Sequence, residues 1–445
     1  MENVNNESAE SRLTVRLEDK LPPVRSFMYG LQHVFVSNVW LDPVFVAAMI
    51  GLPLTLAANM VNAIFIAAGL VTLTQATRLV RLPIVQGPSA AFDALMISAG
   101  KSKTLAAAGG GIILSGLIVF ILAITGVLGR LKSVFTPVVT GCVILIVGVS
   151  LSSFTLFEFL GGTQGMDTFL SKPVLLMSIP TALVVVLLTT FGRGVYRSYA
   201  FLIALAIGDL IAVALGKAQF SLVASKAWFG LPQLLPYGPL EFRWSAFATF
   251  FFAYVVAVIE AMGVYHAAAE ALNITLDRKR IRNGFAGESA GSILSTLIGG
   301  FPTTAYAQNV GLLRLTGVGS RHSVIVAGII FLVLGFVPKA GALLAVTPDA
   351  VVGGIFLPAA ASLIFSGIGL LVRMDKTDAN LMIAGLCILL ATSLPSYFKG
   401  LSGFAGDFLS NAILVGTLSA IGLQLILVNI PGWFGKRPTG TNERG

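Results

Sequence analysis

The residues with most to say about chemistry are ionisable side chains set within long apolar runs. Glu260 lies in FFAYVVAVIEAMGVYHAAAE, where every residue back to Trp244 is uncharged and no cation stands one helical turn away. An ionisable group in such a run is expensive to hold unless it is paired or used. A carboxylate there suits a group that accepts a proton, accepts N–H donors when ionised, and releases both together. Glu288, in NGFAGESAGSILS, stands among small residues that let helices approach closely. Two readings are open for it: proton coupling or support of a site, and a carboxylate favoured by the dipole at a helix N-terminus. His33, beside Gln32 in YGLQHVFVS, is either a direct participant or a hydrogen-bonded part of the site's architecture. Asp93 reads as a partner for a neighbouring helix or a residue near a mouth, and Asp209 as a cap or bridge between helices. There is no HExxH and no nucleophile–base pair, and Cys142 and Cys387 lack a CxxC partner. Those features argue against an enzyme, a metal site or any cofactor beyond a coupling proton.

The elements that must position these residues are membrane helices. The chain has 445 residues, of which 56% are hydrophobic and only 11% charged, with a mean hydropathy of +0.89. A globular chain carries about a quarter charged residues, so this one could not cover its own surface in water. Apolar runs of about 20 residues, the length that spans a bilayer as helix, recur along it. No alternating pattern of a transmembrane barrel recurs. Fourteen elements are expected, near 27–48, 52–74, 83–99, 105–129, 134–155, 174–192, 198–216, 245–268, 285–299, 302–316, 322–338, 349–371, 379–397 and 407–430. The first 26 residues lack an apolar core and read as a lightly structured cytoplasmic tail rather than a signal peptide. Trp228 and Trp244 suit the membrane interface in the long connection between elements seven and eight.

Basic residues test this count independently. With the N-terminus in the cytoplasm, only Lys101, Lys103, Lys172, Lys217, Lys226, Arg243, Lys339 and Lys399 of the 29 Lys and Arg fall outside. A miscounted helix would reverse that bias downstream, so both termini are expected inside. The same rule accounts for the net charge of +9 without a nucleic-acid partner.

Fourteen elements divide as seven plus seven, and an odd number per half makes the second half an inverted repeat of the first. The third element of each half is broken alike. LPIVQGPSAAFDAL carries Pro83, Gly87 and Pro88, and GGFPTTAYAQNVGLL carries Gly299, Gly300, Pro302 and Gly311. Proline removes a donor and clashes with the preceding turn, so each should begin as extended chain and continue as helix. Such backbone is tolerated at membrane depth only against protein or a watery cavity, which marks a carrier's midplane site. The first amides of the two half-helices would then face a substrate.

In element ten, Gln308-Asn309-Val310-Gly311, followed by Thr316, resembles the signature of the nucleobase–ascorbate transporter family. IEAMGVYH in element eight, AGES in element nine and GLQH in element one stand in that family's order and spacing. The resemblance covers essentially residues 25–430. It implies an all-α polytopic membrane protein of 14 transmembrane segments, with a core domain (27–129 and 245–338) and a gate domain (134–216 and 349–430). Tails of residues 1–26 and 431–445 flank them. It further implies a proton-coupled nucleobase symporter that forms homodimers through the gate domain, here placed in a bacterial inner membrane. Glu260 matches the carboxylate that accepts adjacent ring N–H groups, and Gln308 the second side chain on the base. Ala90 and Ala307 match positions whose backbone amides face the substrate. Asn309 would hold the broken segment in shape, Glu288 stands where many members have Asp, and His33 matches the family's histidine.

Two departures bear on the substrate. Uracil-type members have Glu at the position of Gln308 and His at that of Val264, so the resemblance points to an oxidised purine, xanthine or uric acid. Many members place Phe where this chain has Ala90. Losing that ring enlarges the pocket, and Tyr306 or Phe92 becomes the stacking candidate, with Ser89 completing the expected substrate-binding set. The alternatives are a uracil or other pyrimidine permease of the same family and an anion exchanger of the same inverted-repeat fold. The anion exchanger would favour a positive site, whereas this chain offers carboxylates. A channel lacks its ring of charges.

Overall fold

In apolar surroundings a backbone must satisfy its own hydrogen bonds, and the Leu-, Val-, Ile- and Ala-rich runs do so as helices. The computed structural model describes residues 13–130, 134–218, 220–398, 400–401 and 404–433. Its longer helices are α1 (Pro23–Ser37), α2 (Leu41–Met49), α3 (Leu54–Thr77), α4 (Asp93–Lys101), α5 (Leu105–Ile124), α6 (Pro137–Leu160), α7 (Lys172–Phe191) and α8 (Ala200–Ala214). They continue with α9 (Trp244–Ala271), α10 (Arg278–Leu297), α11 (Ala307–Thr316), α12 (Arg321–Gly335), α13 (Pro338–Ala345), α14 (Asp349–Val372), α15 (Asp378–Tyr397) and α16 (Ala412–Gln424). Two short strands, β1 (Gln86–Pro88) and β2 (Thr303–Ala305), form an antiparallel pair.

Among the described residues eight helices are long and apolar enough to cross a membrane, or nine if α12 and α13, bent by 83°, form one broken span. The fourteen expected elements are therefore not all full-length spans. The element expected over 27–48 is two helices, broken where Asn38 adopts the left-handed conformation (φ 52°) that asparagine tolerates better than most residues. The short element expected at 285–299 is the 20-residue α10, which starts at Arg278 behind an Asp277 cap. At the α12–α13 bend, Asn62 of α3 donates to the carbonyls of Leu334, Gly335 and Val337 at 2.9–3.2 Å. One buried amide thereby satisfies the carbonyls that the end of a helix leaves over.

Two packing groups emerge. Helices α1, α3, α5, α9, α10, α12 and α13 pack mainly on one another and enclose the strand pair, whereas α6, α7, α8, α14, α15 and α16 form a second set. Small residues bring the first group close. A Cβ added to Gly69 on α3 would lie 2.8 Å from the Gly328 carbonyl on α12. Between the groups, Phe45 and Phe356 stack with centroids 3.7 Å apart. In the second group, Cys142 and Cys387, remote in sequence, meet as free thiols.

The amino-terminal segment departs from its expectation as a lightly structured tail. Residues 1–12, and 434–445 at the other end, lie outside the described residues, but Thr14–Asp19 dock on the chain before α12. Thr14 N–H donates to the Gly317 carbonyl (2.8 Å), Gly319 N–H to Val15 (2.9 Å) and Arg321 N–H to Leu17 (3.1 Å). Glu18 bridges Arg81 at 2.8 Å and Arg321 at 2.7 Å. Arg321 also donates to the Ala76 carbonyl, and Arg280 to those of Val80 and Arg81. The cluster thus ties down the turn that feeds β1. Chiefly through the Arg321 hydrogen bond, the Glu18 carboxyl is held below its ordinary value of 4.5. A carboxyl shifted down lends stability above its free value and loses it as pH falls through the folded one. Each exposed pair contributes on the order of 1 kcal/mol or less. Glu18→Ala should therefore speed amide exchange of residues 14–19 at neutral pH, with wild type matching it only once pH has fallen through the lowered Glu18 value. Equal exchange at neutral pH would show that the bridge does not hold the segment.

Candidate functional site

The site begins with the two interrupted segments. Gln86 pairs with Ala305, Gly87 with Thr304 and Pro88 with Thr303. The pairing extends outward, with Ser89 N–H donating to the Pro302 carbonyl (2.9 Å) and Tyr306 N–H to Val85 (3.0 Å). Neighbouring helices satisfy the remaining groups. Thr72 Oγ1 of α3 accepts from Gln86 N–H (2.9 Å), Ser292 Oγ of α10 accepts from Thr303 N–H (2.9 Å), and Ser295 donates to the Phe301 carbonyl (2.8 Å). Gly87 is required by a close approach, since a Cβ there would lie 2.6 Å from the Tyr306 ring. Prolines fit because a short strand has ladder positions that need no donor.

Both chains leave the pair in the same way. Ser89 (φ −97°, ψ 120°) precedes a single turn at Ala90–Phe92 and then α4, and Tyr306 (φ −97°, ψ 118°) precedes α11. The first amides of each helical stretch have no partner within the helix. Pro88, Ala90, Tyr306, Ala307 and Gln308 line one cavity of about 700 Å³, and Glu260 of α9 stands in its wall. Ser89, itself buried, donates to Glu260 Oε2 at 3.5 Å. Val264, Gly311 and Leu312 continue that wall, and Phe201, Phe356, Ala359 and Ser362 of the second packing group face it. The cavity thus offers a carboxylate, an amide side chain and helix-start N–H groups to a flat polar ligand.

Five expected substrate-contacting residues, Glu260, Gln308, Ala90, Ala307 and Tyr306, line this one space, with Ser89 directly behind Glu260. Phe92 does not line it. Its ring is fully buried, stacked on Phe250 (6.2 Å) and edge-on to Tyr254 (5.2 Å), because the turn at Ala90–Phe92 directs it into the helix packing. Tyr306 donates its hydroxyl to the Pro88 carbonyl at 2.9 Å, which fixes its ring against the crossing.

His33, Asn309 and Glu288 sit behind the cavity wall. Asn309 Nδ2 donates to the His33 carbonyl (3.2 Å) and contacts His33 Nδ1 (2.9 Å). A carbonyl can only accept, so the amide nitrogen is the atom facing it, and Nδ1 must be the unprotonated ring nitrogen. This contact ties α11 to α1. Glu288 lies mid-helix in α10, so the helix-dipole reading falls away. Tyr265 donates to it at 2.6 Å, Gln75 donates to the Gly284 carbonyl at 2.7 Å, and Gln86 of β1 adjoins the group. Asp209 of α8 accepts from Thr347, in the connection between α13 and α14, at 3.2 Å.

The structure adds residues that the sequence reading missed. Asp42, in the first turn of α2, lines the cavity together with Ser37, Asn38 and Arg197. It was legible in principle, as a carboxylate in an apolar run beside Pro43 and just after an Asn suited to a break. Asp93 is fully buried near Asp42 and Glu260, with neither carboxyl oxygen hydrogen-bonded among the described residues.

Residues 24–400 match the sequence profile of a family described as a permease family. The chain is 35% identical over 407 residues to the uric acid permease PucK of Bacillus subtilis, covering 89% of this chain and 94% of that protein. It is 30% identical over 412 residues to a xanthine permease of B. subtilis, covering 90% and 93%. The uric acid transporter UacT of Escherichia coli is 27% identical over 432 residues, covering 94% and 89%. Among solved structures, the transmembrane domain of the cyanobacterial bicarbonate transporter BicA superposes with a TM-score of 0.61 at 15% identity, covering 92% of this chain and all of that one. Murine Slc26a9, an anion transporter in the inward-facing state, gives 0.64 at 12% identity, covering 93% and 69%. At such identities the structures establish a shared fold and nothing about the ligand.

The Tyr265–Glu288 contact yields a direct test. Both groups are buried, and leaving such an acceptor unsatisfied costs about 1–3 kcal/mol. Tyr265→Phe should lower the thermal midpoint of the purified protein while preserving its oligomeric profile. An unchanged midpoint would mean the hydroxyl contributes nothing there.

Proposed function

This chain belongs to that permease family, the nucleobase–ascorbate transporters, and on that premise we propose that it is a proton-coupled importer of an oxidised purine, xanthine or uric acid. It is a membrane transporter and not an enzyme. The observation that carries the substrate reading is Glu260 standing in one cavity with Gln308 and the amide-bearing starts of two broken helices. A carboxylate accepts two adjacent N–H groups, an amide both donates and accepts, and helix-start N–H groups serve ring carbonyls. Xanthine and urate carry those groups around their rings. Gln308 and Val264, the two positions that set this chain apart from uracil-type relatives, both line the cavity. Its two wall carboxylates, Glu260 and Asp42, disfavour a simple anion exchanger.

In this mechanism, a proton on the Glu260, Glu288 and His33 group and a base on Glu260 and Gln308 stabilise the same loaded state. Their mutual stabilisation is the coupling. The first packing group acts as the core and the second as the gate, and rocking one against the other alternates access. Arg197 lines this cavity at the end that charge asymmetry assigns to the cytoplasm. In this reading it sits in an inner membrane, with both termini inside and a homodimer formed through the gate helices; the bacterial relatives and the charge asymmetry support the location.

Uptake of radiolabelled xanthine by expressing cells tests the reading. Saturable uptake should be abolished by a protonophore and blocked by unlabelled urate but not by uracil. Glu260→Gln should lose accumulation, and full accumulation by that variant would overturn the role given to Glu260. Uracil uptake without xanthine uptake would overturn the substrate class. Ala90→Phe restores a ring in the cavity wall, and stacking on a base contributes about 1–3 kcal/mol. Its half-saturating xanthine concentration should fall about tenfold, whereas a rise would show that the open space at Ala90 is used by the substrate.

A further inference from the structure

Two carboxyl groups beside the cavity have no part in the transport cycle proposed for Glu260. Asp93 opens α4 at zero exposure, and neither of its oxygens meets a hydrogen-bond donor among the described residues. A bare carboxylate is not held in such a place without a bound proton or cation. Among the described residues no group of three or more His, Cys, Asp or Glu could hold a metal ion, and a proton neutralises the carboxylate with no further ligand.

Asp42 faces it from α2 and lines the cavity that holds Glu260. The Tyr306 hydroxyl donates to the Pro88 carbonyl at 2.9 Å and lies beside the Asp42 carboxyl. The titratable groups facing Asp93 are Asp42 from α2, Glu260 from α9 and Tyr306 from the turn into α11, all acidic. Arg197 lines the first cavity and Arg243 a second, and Lys101 ends α4 itself, its Nζ over the rings of Phe154 and Phe157.

That second cavity, of about 880 Å³, gives the pair a direction. Ala94, Leu95 and Ser98 line it, with hydroxyls from Ser150, Ser153 and Thr249 around them, whereas Pro88 and Ala90 line the first cavity. Along the chain Asp93 falls between the two linings, next to Phe92, whose ring packs on Phe250 and Tyr254. We propose that Asp93 and Asp42 form a second proton site, filled from the α4–α6 cavity through Asp93 and emptied through Asp42 into the cavity of Glu260. Each step moves one proton from water or a carboxyl to a carboxylate and breaks no other bond. Its use in coupling rests on the transporter reading, but the existence of the site does not.

Infrared difference spectroscopy of the full chain in lipid, titrated without substrate, tests the site. Wild type should lose carboxylic acid C=O intensity as pH rises. Asp93→Asn should lack one component of that signal, and Asp42→Asn should move the component that remains. A carboxylic acid region in Asp93→Asn identical to wild type would overturn the proposal. So would displacement of the wild-type signal by added sodium at fixed pH. Proton and xanthine fluxes in proteoliposomes test the route, and Asp93→Asn should carry one proton fewer per xanthine. An unchanged ratio would remove the pair from the coupling path. Absence of xanthine flux in wild type would count against the transporter reading, while the infrared result would still decide the site.

Discussion

The structure depends on one constraint, that a peptide group inside a bilayer must find a partner within the protein. Two chain segments that proline and glycine prevent from being helical satisfy it by pairing with each other. Every detail around them serves that pairing. Thr72, Ser292 and Ser295 supply the hydroxyls the short strands need, and Gly87 leaves room for the Tyr306 ring. The pairing also positions the helical stretches that each strand runs into. Two helices start side by side at depth, and their unpaired first amides become the polar floor of a cavity in an apolar protein.

The chemistry is layered around that floor. Glu260 and Gln308 stand in the cavity, and Ser89 braces the carboxylate. Behind them, Asn309 holds α11 to α1 through His33, and Tyr265 holds Glu288 in place beside Gln86 of β1. Glu288 is thus one side chain, Gln86, from the strand that leads into Ser89 and Ala90. The arginine cluster on Glu18 anchors the other end of the same strand's approach. Helix start, hydrogen-bonded support and anchoring cluster form one continuous assembly.

Much of this was legible in the sequence because membrane depth makes polar and helix-breaking residues conspicuous. Glu260 stands out by being alone among apolar residues, and the two extended breaks by matched Pro and Gly in two short runs, while their pairing as strands carries no signal of its own. Gln308 and Ala307 came from a motif, not from periodicity. Phe92 was misplaced because a single turn after Ser89, invisible to composition, rotates its ring into helix packing. Asp42 was overlooked because the run over 27–48 was taken as one helix, when Asn38 breaks it and brings α2 to the cavity. The docked Thr14–Asp19 segment carries no signal beyond its charges, since its bonds are backbone contacts to residues some three hundred positions away.

Where a purine binds decides whether the crossing of the two broken segments is the transport site. A structure determined with xanthine bound tests that most directly. The base should lie between Ala90 and Ala307, with ring N–H groups on Glu260 and its far edge on Gln308. Xanthine seated in the α4–α6 cavity, or anywhere out of reach of Glu260, would contradict it.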